Sequence, residues 1–335
     1  MKNKIRRLTA FILILTLTFS LSLSIYANET VTDEIVPISN WAIALQDDAT
    51  EEDIKHYPIN PSSKEWKTFT ESEQMISACR IDNAILSNMS TEELVSAVLS
   101  YPMLVDLYFY NSIETALQQL AKKSDAFYEL RQRTDGAEYL LQAYNNRLKS
   151  RNSAPLASLT IAILLSDEAF SDSANVAVTV GTDASTYAYY VSIQTPKGTT
   201  VQVINRGEEY TSAEISELNE YTKKTYPNAT YIASSTTVYN CHNFAWNSNN
   251  GQMSYWMNQD SAKVYMSDGS YVSSTISKAT HAYYGDEVDH SARGVTASGI
   301  YQPTVLSKWG AGPVMMHTIN YGPYDSSDVT YWKAG

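Results

Sequence analysis

Tyr239-Asn240-Cys241-His242-Asn243-Phe244-Ala245-Trp246 is the most informative stretch of this 335-residue chain. Just upstream, residues 231–236 read as a short strand, and the residues that follow suit a helix. Asn240 is a favoured N-cap, because its side-chain oxygen can accept from a free N–H of the first turn. Cys241 then falls in that first turn. Backbone N–H groups and the helix dipole there favour a thiolate and can also hold an oxyanion.

A nucleophilic cysteine needs an imidazole to take its proton. The chain has five histidines. His56 lies in a polar lead-in and His281 in a loop-like stretch. His242 adjoins the cysteine, but neighbours on a helix point about 100° apart. His290 sits in Glu287-Val288-Asp289-His290-Ser291-Ala292-Arg293-Gly294-Val295, where Val288, His290 and Ala292 share one strand face. A strand histidine facing a helix-borne cysteine makes a workable thiol–imidazole pair. His317, after the apolar run Val314-Met315-Met316, is the reserve candidate.

Around this site the composition is that of a sheet. From Asn175 onward Val, Thr, Tyr and Ser dominate, and 17 of the 25 tyrosines lie beyond residue 175. Residues 176–181, 187–194 and 200–205 read as strands, with Pro196-Lys197-Gly198 as a turn between two of them. Residues 212–226 read as a helix capped by Ser212. Tyrosine suits a pleated surface with one wet end, so packing of the sheet is the expected use of most of them.

The preceding part, 63–170, reads as a helical domain, with about four helices over 63–150. Capping pairs recur: Thr70 with Glu73, Ser90 with Glu93, Asn111 with Glu114, and Asp135 with Glu138. Apolar residues follow each start at helical spacing, as in Leu94, Val98 and Leu99. Pro102 stops or kinks the second helix. The run 154–165, with Pro155 in a first-turn position, reads as a buried helix joining the two halves. No catalytic grouping is legible in this half, and Cys79 among Ile76 and Ile81 reads as a core thiol.

Residues 1–27 read as a signal peptide: a basic start with Lys2, Lys4, Arg6 and Arg7, an apolar run, then Ala27 at the cut. Residues 28–62 form the polar lead-in. The expected product is secreted, with association with the cell envelope open and no stable membrane insertion once the leader is cleaved. The whole chain carries −12; beyond residue 27 there are 20 basic against 36 acidic side chains, a net −16. That acidity argues against nucleic-acid binding, which needs Lys and Arg for phosphate neutralisation. It also repels the protein from an anionic surface such as a bacterial wall, an effect that salt weakens. Two cysteines are too few for a disulfide scaffold.

Cysteine at the head of a helix, then a His-bearing strand, then a further strand with a polar residue is an order that resembles the NlpC/P60 and CHAP-type branch of papain-like cysteine peptidases and amidases. The resemblance covers 175–335. It implies an α+β protein: a helical N-terminal domain followed by a papain-like domain with a central antiparallel sheet and a Cys-bearing helix. It implies Cys241 as nucleophile, His290 as general base, and no cofactor. The implied substrate is a peptide or amide bond, commonly in peptidoglycan. A third residue would orient the imidazole from the next strand, and Ser307 or His317 fits. Tyr239 and Asn240 would line the pocket or the oxyanion site. Where the family has aspartate before the cysteine this chain has Asn240, and where Ser-Gly often follows it has His242-Asn243.

Three other readings stand beside this one. Cys79 and Cys241 would pair in a disulfide if the cysteines are structural. Cys241, His242, Asp286, Asp289 and His290 are residue types that bind metals, but no regular metal-binding spacing accompanies them. A non-catalytic exported protein could use a Tyr-rich sheet to recognise glycan or peptide.

Overall fold

The computed structural model describes residues 56–149, 155–170, 188–207, 209–247, 253–297 and 302–335. The expected signal peptide at 1–27 and the expected strand at 176–181 lie outside the described residues. The architecture is α+β: a helical N-terminal region followed by antiparallel sheets.

The helical region holds α1 (Ser72–Ala78), α2 (Asn83–Leu86), α3 (Thr91–Leu99), α4 (Ile113–Lys123), α5 (Asp125–Leu130), α6 (Gly136–Lys149) and α7 (Pro155–Leu165). The Ser90–Glu93 capping box forms, with both reciprocal hydrogen bonds. The first box sits one residue later than expected: Gln74 rather than Glu73 reaches back, accepting from the N–H groups of Thr70 and Glu71. The α4 cap also shifts by one. Ser112, not Asn111, accepts from the Thr115 N–H, because a hydroxyl one residue on already fits the N-cap geometry. Asn111 is thereby released for another role. Asp135 precedes α6 and accepts from the Thr91 hydroxyl at 2.8 Å.

The second region opens with a hairpin of β1 (Tyr189–Gln194) and β2 (Thr200–Asn205), turned at Pro196-Lys197-Gly198 with Gly198 at φ 84°. Then follow α8 (Ser212–Thr225), β3 (Thr230–Ala233), α9 (Cys241–Trp246), α10 (Gln259–Ser267), β4 (Tyr271–Ser273), β5 (His281–Tyr283), β6 (Ser291–Thr296), β7 (Thr304–Lys308), β8 (Val314–Thr318) and β9 (Thr330–Ala334). Strands β3 to β9 make one seven-stranded sheet in the order β3-β8-β7-β6-β5-β9-β4, each neighbouring pair antiparallel. Helix α9 packs on β6 and β7, so the sheet meets the head of that helix.

The two halves share their main core. One apolar cluster runs from Tyr57 and Trp66 through Phe109, Phe127 and Leu164 to Trp309, Met315 and Tyr324. A smaller cluster joins β2, α9 and α10 through Val203, Trp246, Met257 and Tyr265. The join is made by residues 101–111, every one of them buried. After α3 ends, this segment forms a 3₁₀ turn at Leu104–Tyr108 and runs into the second region. Phe109 packs on Trp309, the Tyr324 hydroxyl donates to the Phe109 carbonyl at 2.7 Å, and the Ala311 N–H donates to the Tyr108 carbonyl. Asp106 is buried but receives Lys123 Nζ at 3.2 Å and the Tyr226 hydroxyl at 2.7 Å, the pairing that a buried charge requires. Seven of the 15 described tyrosines of the second half, Tyr226, Tyr265, Tyr271, Tyr283, Tyr284, Tyr321 and Tyr324, are core residues, five are half-buried, and Tyr189, Tyr190 and Tyr231 are exposed. Among the described residues no helix is long and apolar enough to cross a membrane.

Candidate functional site

Asn240 caps α9 by accepting from the Asn243 N–H at 3.2 Å, and Cys241 is the first helical residue. Cys241 and Cys79 are both buried free thiols. Around the Cys241 sulfur lie the Asn111 amide nitrogen at 3.2 Å, the Asn111 amide oxygen at 3.5 Å and the Asp289 carbonyl at 4.0 Å. The thiol is pushed up to about 12, chiefly by burial and then by the Asp289 charge; the Asn111 amide and the Ser291 and His242 backbone N–H groups pull the other way. The resting sulfur is therefore a protonated thiol at neutral pH.

His242 does not face the sulfur as a free base. Its Nε2 is 2.7 Å from Asp289 Oδ1 and its Nδ1 is 2.8 Å from the Ser291 hydroxyl. That hydroxyl oxygen also accepts from Trp246 Nε1–H, so its proton is free to go to Nδ1. His242 then carries its proton on Nε2 and donates it to the carboxylate. The ring thus clamps Asp289, the only described non-glycine residue at positive φ, 52°. Aspartate tolerates this left-handed conformation better than most residues, yet it still costs roughly 1 kcal/mol. The clamp sets the direction in which the chain delivers His290.

His290 lies between Asp289 and Ser291, the two residues whose backbone groups meet the sulfur. Its ring is fully buried and stacks on Tyr324, with ring centres 3.4 Å apart and planes inclined by 13°. Neither ring nitrogen makes a hydrogen bond, so the expected bond with Cys241 is not made in this state. Burial, with smaller contributions from His317 and His242, holds the imidazole well below its ordinary pKa and hence neutral.

The two candidates for orienting His290 pair with each other instead. The Ser307 hydroxyl is 2.7 Å from His317 Nε2, and His317 Nδ1 is 2.8 Å from the Thr318 carbonyl. A carbonyl can only accept, so Nδ1 carries the proton and Nε2 accepts from Ser307 and from Trp309 Nε1. Burial lowers His317 to about 4. Tyr239 stacks on Phe244, and Lys308 Nζ lies over its ring. His281 is on β5 rather than in a loop; its Nε2 is 2.9 Å from the Ala245 carbonyl near the end of α9. Asp286 is turned outward to Lys263 at 2.6 Å. Among the described residues no group of three or more His, Cys, Asp and Glu is placed to hold a metal ion.

A pocket of about 370 Å³ lies between α1, α4 and the loop after β8, lined by Ser72, Arg80, Lys122, Pro323 and Tyr324 among others. Tyr324 therefore belongs both to the wall of this pocket and to the stack on His290.

Comparison with known protein families, with curated proteins and with solved structures finds no match for this chain. Four site residues were not legible as such. In the sequence Asn111 reads as a helix cap, helix geometry turns His242 away from Cys241, and Ser291 and Tyr324 carry no motif. A cap candidate with a second capping residue directly after it, as in Asn111-Ser112, was the one available signal for Asn111.

Proposed function

We propose that this chain is an exported thiol-dependent hydrolase of peptide or amide bonds, with a papain-like second half of the NlpC/P60 and CHAP-type kind. Cys241 is the nucleophile and His290 the general base. The order of elements supports this: a thiol at the head of a helix, a histidine at the entry to β6, and an antiparallel sheet on which the helix packs.

The observation that carries the reading is His290. A buried imidazole with both nitrogens unpartnered is a liability of roughly 1–3 kcal/mol. Native interiors keep such groups where they serve a purpose. Here the group directly follows Asp289, the strained, clamped residue whose backbone carbonyl lies 4.0 Å from the thiol sulfur.

The chemistry follows from the protonation states. A neutral thiol and a neutral imidazole act by general-base catalysis. As the sulfur attacks the carbonyl carbon, the S–C bond forms, the C=O electron pair moves onto oxygen, and His290 takes the thiol proton. Collapse expels the amine, which takes that proton from His290. Water, deprotonated by the same imidazole, then releases the acyl group. Because the sulfur is buried, the substrate enters through movement of Tyr324 or of the 285–290 loop. That loop is tied down by Lys122–Glu287 and Lys263–Asp286, exposed pairs that each contribute no more than about 1 kcal/mol. The resemblance makes a peptide stem of the peptidoglycan type the first substrate to test, against the repulsion expected between an acidic chain and an anionic wall.

The test is digestion of purified peptidoglycan and a peptide panel. Cys241→Ala is expected to lower product release to background and leave the thermal midpoint within a few degrees; an unchanged rate would end the proposal. In the wild type, kcat/KM should be level from about pH 7 to 9 and fall on the acid side, with its midpoint below the ordinary histidine value of about 6.5. A limb centred near 8.5, the ordinary thiol value, would instead mark a free thiol acting without an imidazole.

A further inference from the structure

The hydrolase reading leaves one question at the sulfur: which group holds the negative charge that develops when the carbonyl is attacked. Backbone N–H groups at the head of α9 are available, but a side chain from the other half of the molecule is closer to hand. Asn111 is buried and its amide touches Asn240, Cys241, His242 and Asp289.

The orientation of that amide follows from hydrogen-bond logic. The Met257 N–H and the Asn243 N–H both donate to Asn240 Oδ1. The other Asn240 atom is therefore the NH₂ group, which donates to the Met257 carbonyl at 2.7 Å and to Asn111 at 3.0 Å. The Asn111 atom facing it must be the carbonyl oxygen, because an NH₂ cannot accept. Asn111 Nδ2 consequently points into the site. One of its hydrogens serves the Asp289 carbonyl at 2.5 Å. The other is left for the sulfur at 3.2 Å, with Asp289 Oδ2 at 3.3 Å as a weaker competitor. The anchor is firm on both sides. Asn240 is tied to backbone, and residues 101–111 are locked into the shared core.

We propose that Asn111, supplied by the helical half, is the side-chain donor that stabilises the charge formed when Cys241 attacks a carbonyl. This rests on the hydrolase reading and extends it: the active site is built from both halves, and the helical half is part of the chemistry. The donor already addresses the sulfur at rest. When the S–C bond forms, the electron pair displaced from the C=O bond settles on an oxygen two bonds from that sulfur, in the space that the same fixed N–H faces. A rigid donor of this kind is worth about 10²–10³ in rate.

The test needs no knowledge of the natural substrate. The full-length protein is treated with p-nitrophenyl acetate or with iodoacetamide, and the rate of modification at Cys241 is followed by peptide mass mapping. Acylation passes through an oxyanion: sulfur bonds the acetyl carbon and p-nitrophenolate leaves. Alkylation does not, since sulfur displaces iodide from a CH₂ group. Access, loop opening and thiol ionisation enter both rates alike, so their ratio isolates oxyanion stabilisation. Asn111→Ala and Asn111→Leu are expected to lower the ratio about 100-fold. Cys79, buried in the helical half, reports folding in the same sample, because it is modified only if that core opens. A ratio unchanged in both variants overturns the proposal. So does faster acylation in Asn111→Ala, which would make Asn111 a plug. If wild-type Cys241 is acylated no faster than a small-molecule thiol, the hydrolase reading itself fails.

Discussion

His290→Phe is expected to abolish hydrolysis and to make the protein more stable. Phenylalanine keeps a planar ring on Tyr324 and removes two buried nitrogens that have no hydrogen-bond partner. Relieving them should stabilise the fold by about 1–3 kcal/mol at neutral pH. The gain should grow in acid. The folded state keeps His290 neutral, whereas the unfolded chain takes up the proton below its ordinary value of about 6.5. Wild-type stability is thus undiminished above pH 6.5 and is lost as pH falls below it, by up to about 1.4 kcal/mol per pH unit for this group. Urea unfolding at pH 7.5 and pH 5.5 measures both effects. A variant less stable than wild type at both values would mean that the ring nitrogens make a stabilising contact, and His290 would be structural. Loss of activity together with gain of stability is the signature of a residue kept for chemistry.

Gly310→Ala is expected to be among the most damaging small substitutions at the described residues. Gly310 has φ 50°, and a Cβ there would run into the backbone carbonyl carbon and oxygen of Phe109. Neither side can give way. The Phe109 carbonyl is held by the Tyr324 hydroxyl, and the Ala311 N–H is bonded to Tyr108. The loop is also pinned by Lys308, whose buried ammonium donates to the carbonyls of Thr236, Gly310 and Gly312. The contact is backbone on backbone, at the place where the helical half enters the sheet half. A destabilisation of about 3 kcal/mol or more follows, at or beyond the upper end of what overpacking usually costs. Gly198→Ala is the matched control. Its φ is 84° but no atom lies within 4 Å of the added carbon, so only the conformational cost of about 1 kcal/mol applies. Equal losses in the two variants, by thermal or urea unfolding, would contradict the account of this junction.

Much of the architecture was legible because local signals agreed with the global fold. Ser90 and Glu93 announced a helix, Pro196-Lys197-Gly198 a hairpin turn, and Asn240 the cap that presents Cys241. The site was legible only along the chain. Cys241 and His290 could be paired because a thiol nucleophile requires an imidazole, but nothing local says that the imidazole rests on Tyr324. Adjacent helical side chains diverge, which argues against His242 as the base for Cys241, and that divergence is what sends it to Asp289 and Ser291. Asn111 was hidden because asparagine before a helix reads as a cap, and only the shared core carries it across to the sulfur. Ser307 and His317 satisfied each other across β7 and β8, a cross-strand pairing set by register rather than by motif.

The central claim is that Cys241 attacks with His290 as its base. It is tested most directly by locating and timing the acyl adduct formed with p-nitrophenyl acetate in wild type and in His290→Phe. The expected result is a single adduct on Cys241, none on Cys79, and acylation slowed about 10²–10⁴-fold in the variant, the span of general-base catalysis. An adduct on another residue, or equal rates in the two proteins, would contradict it.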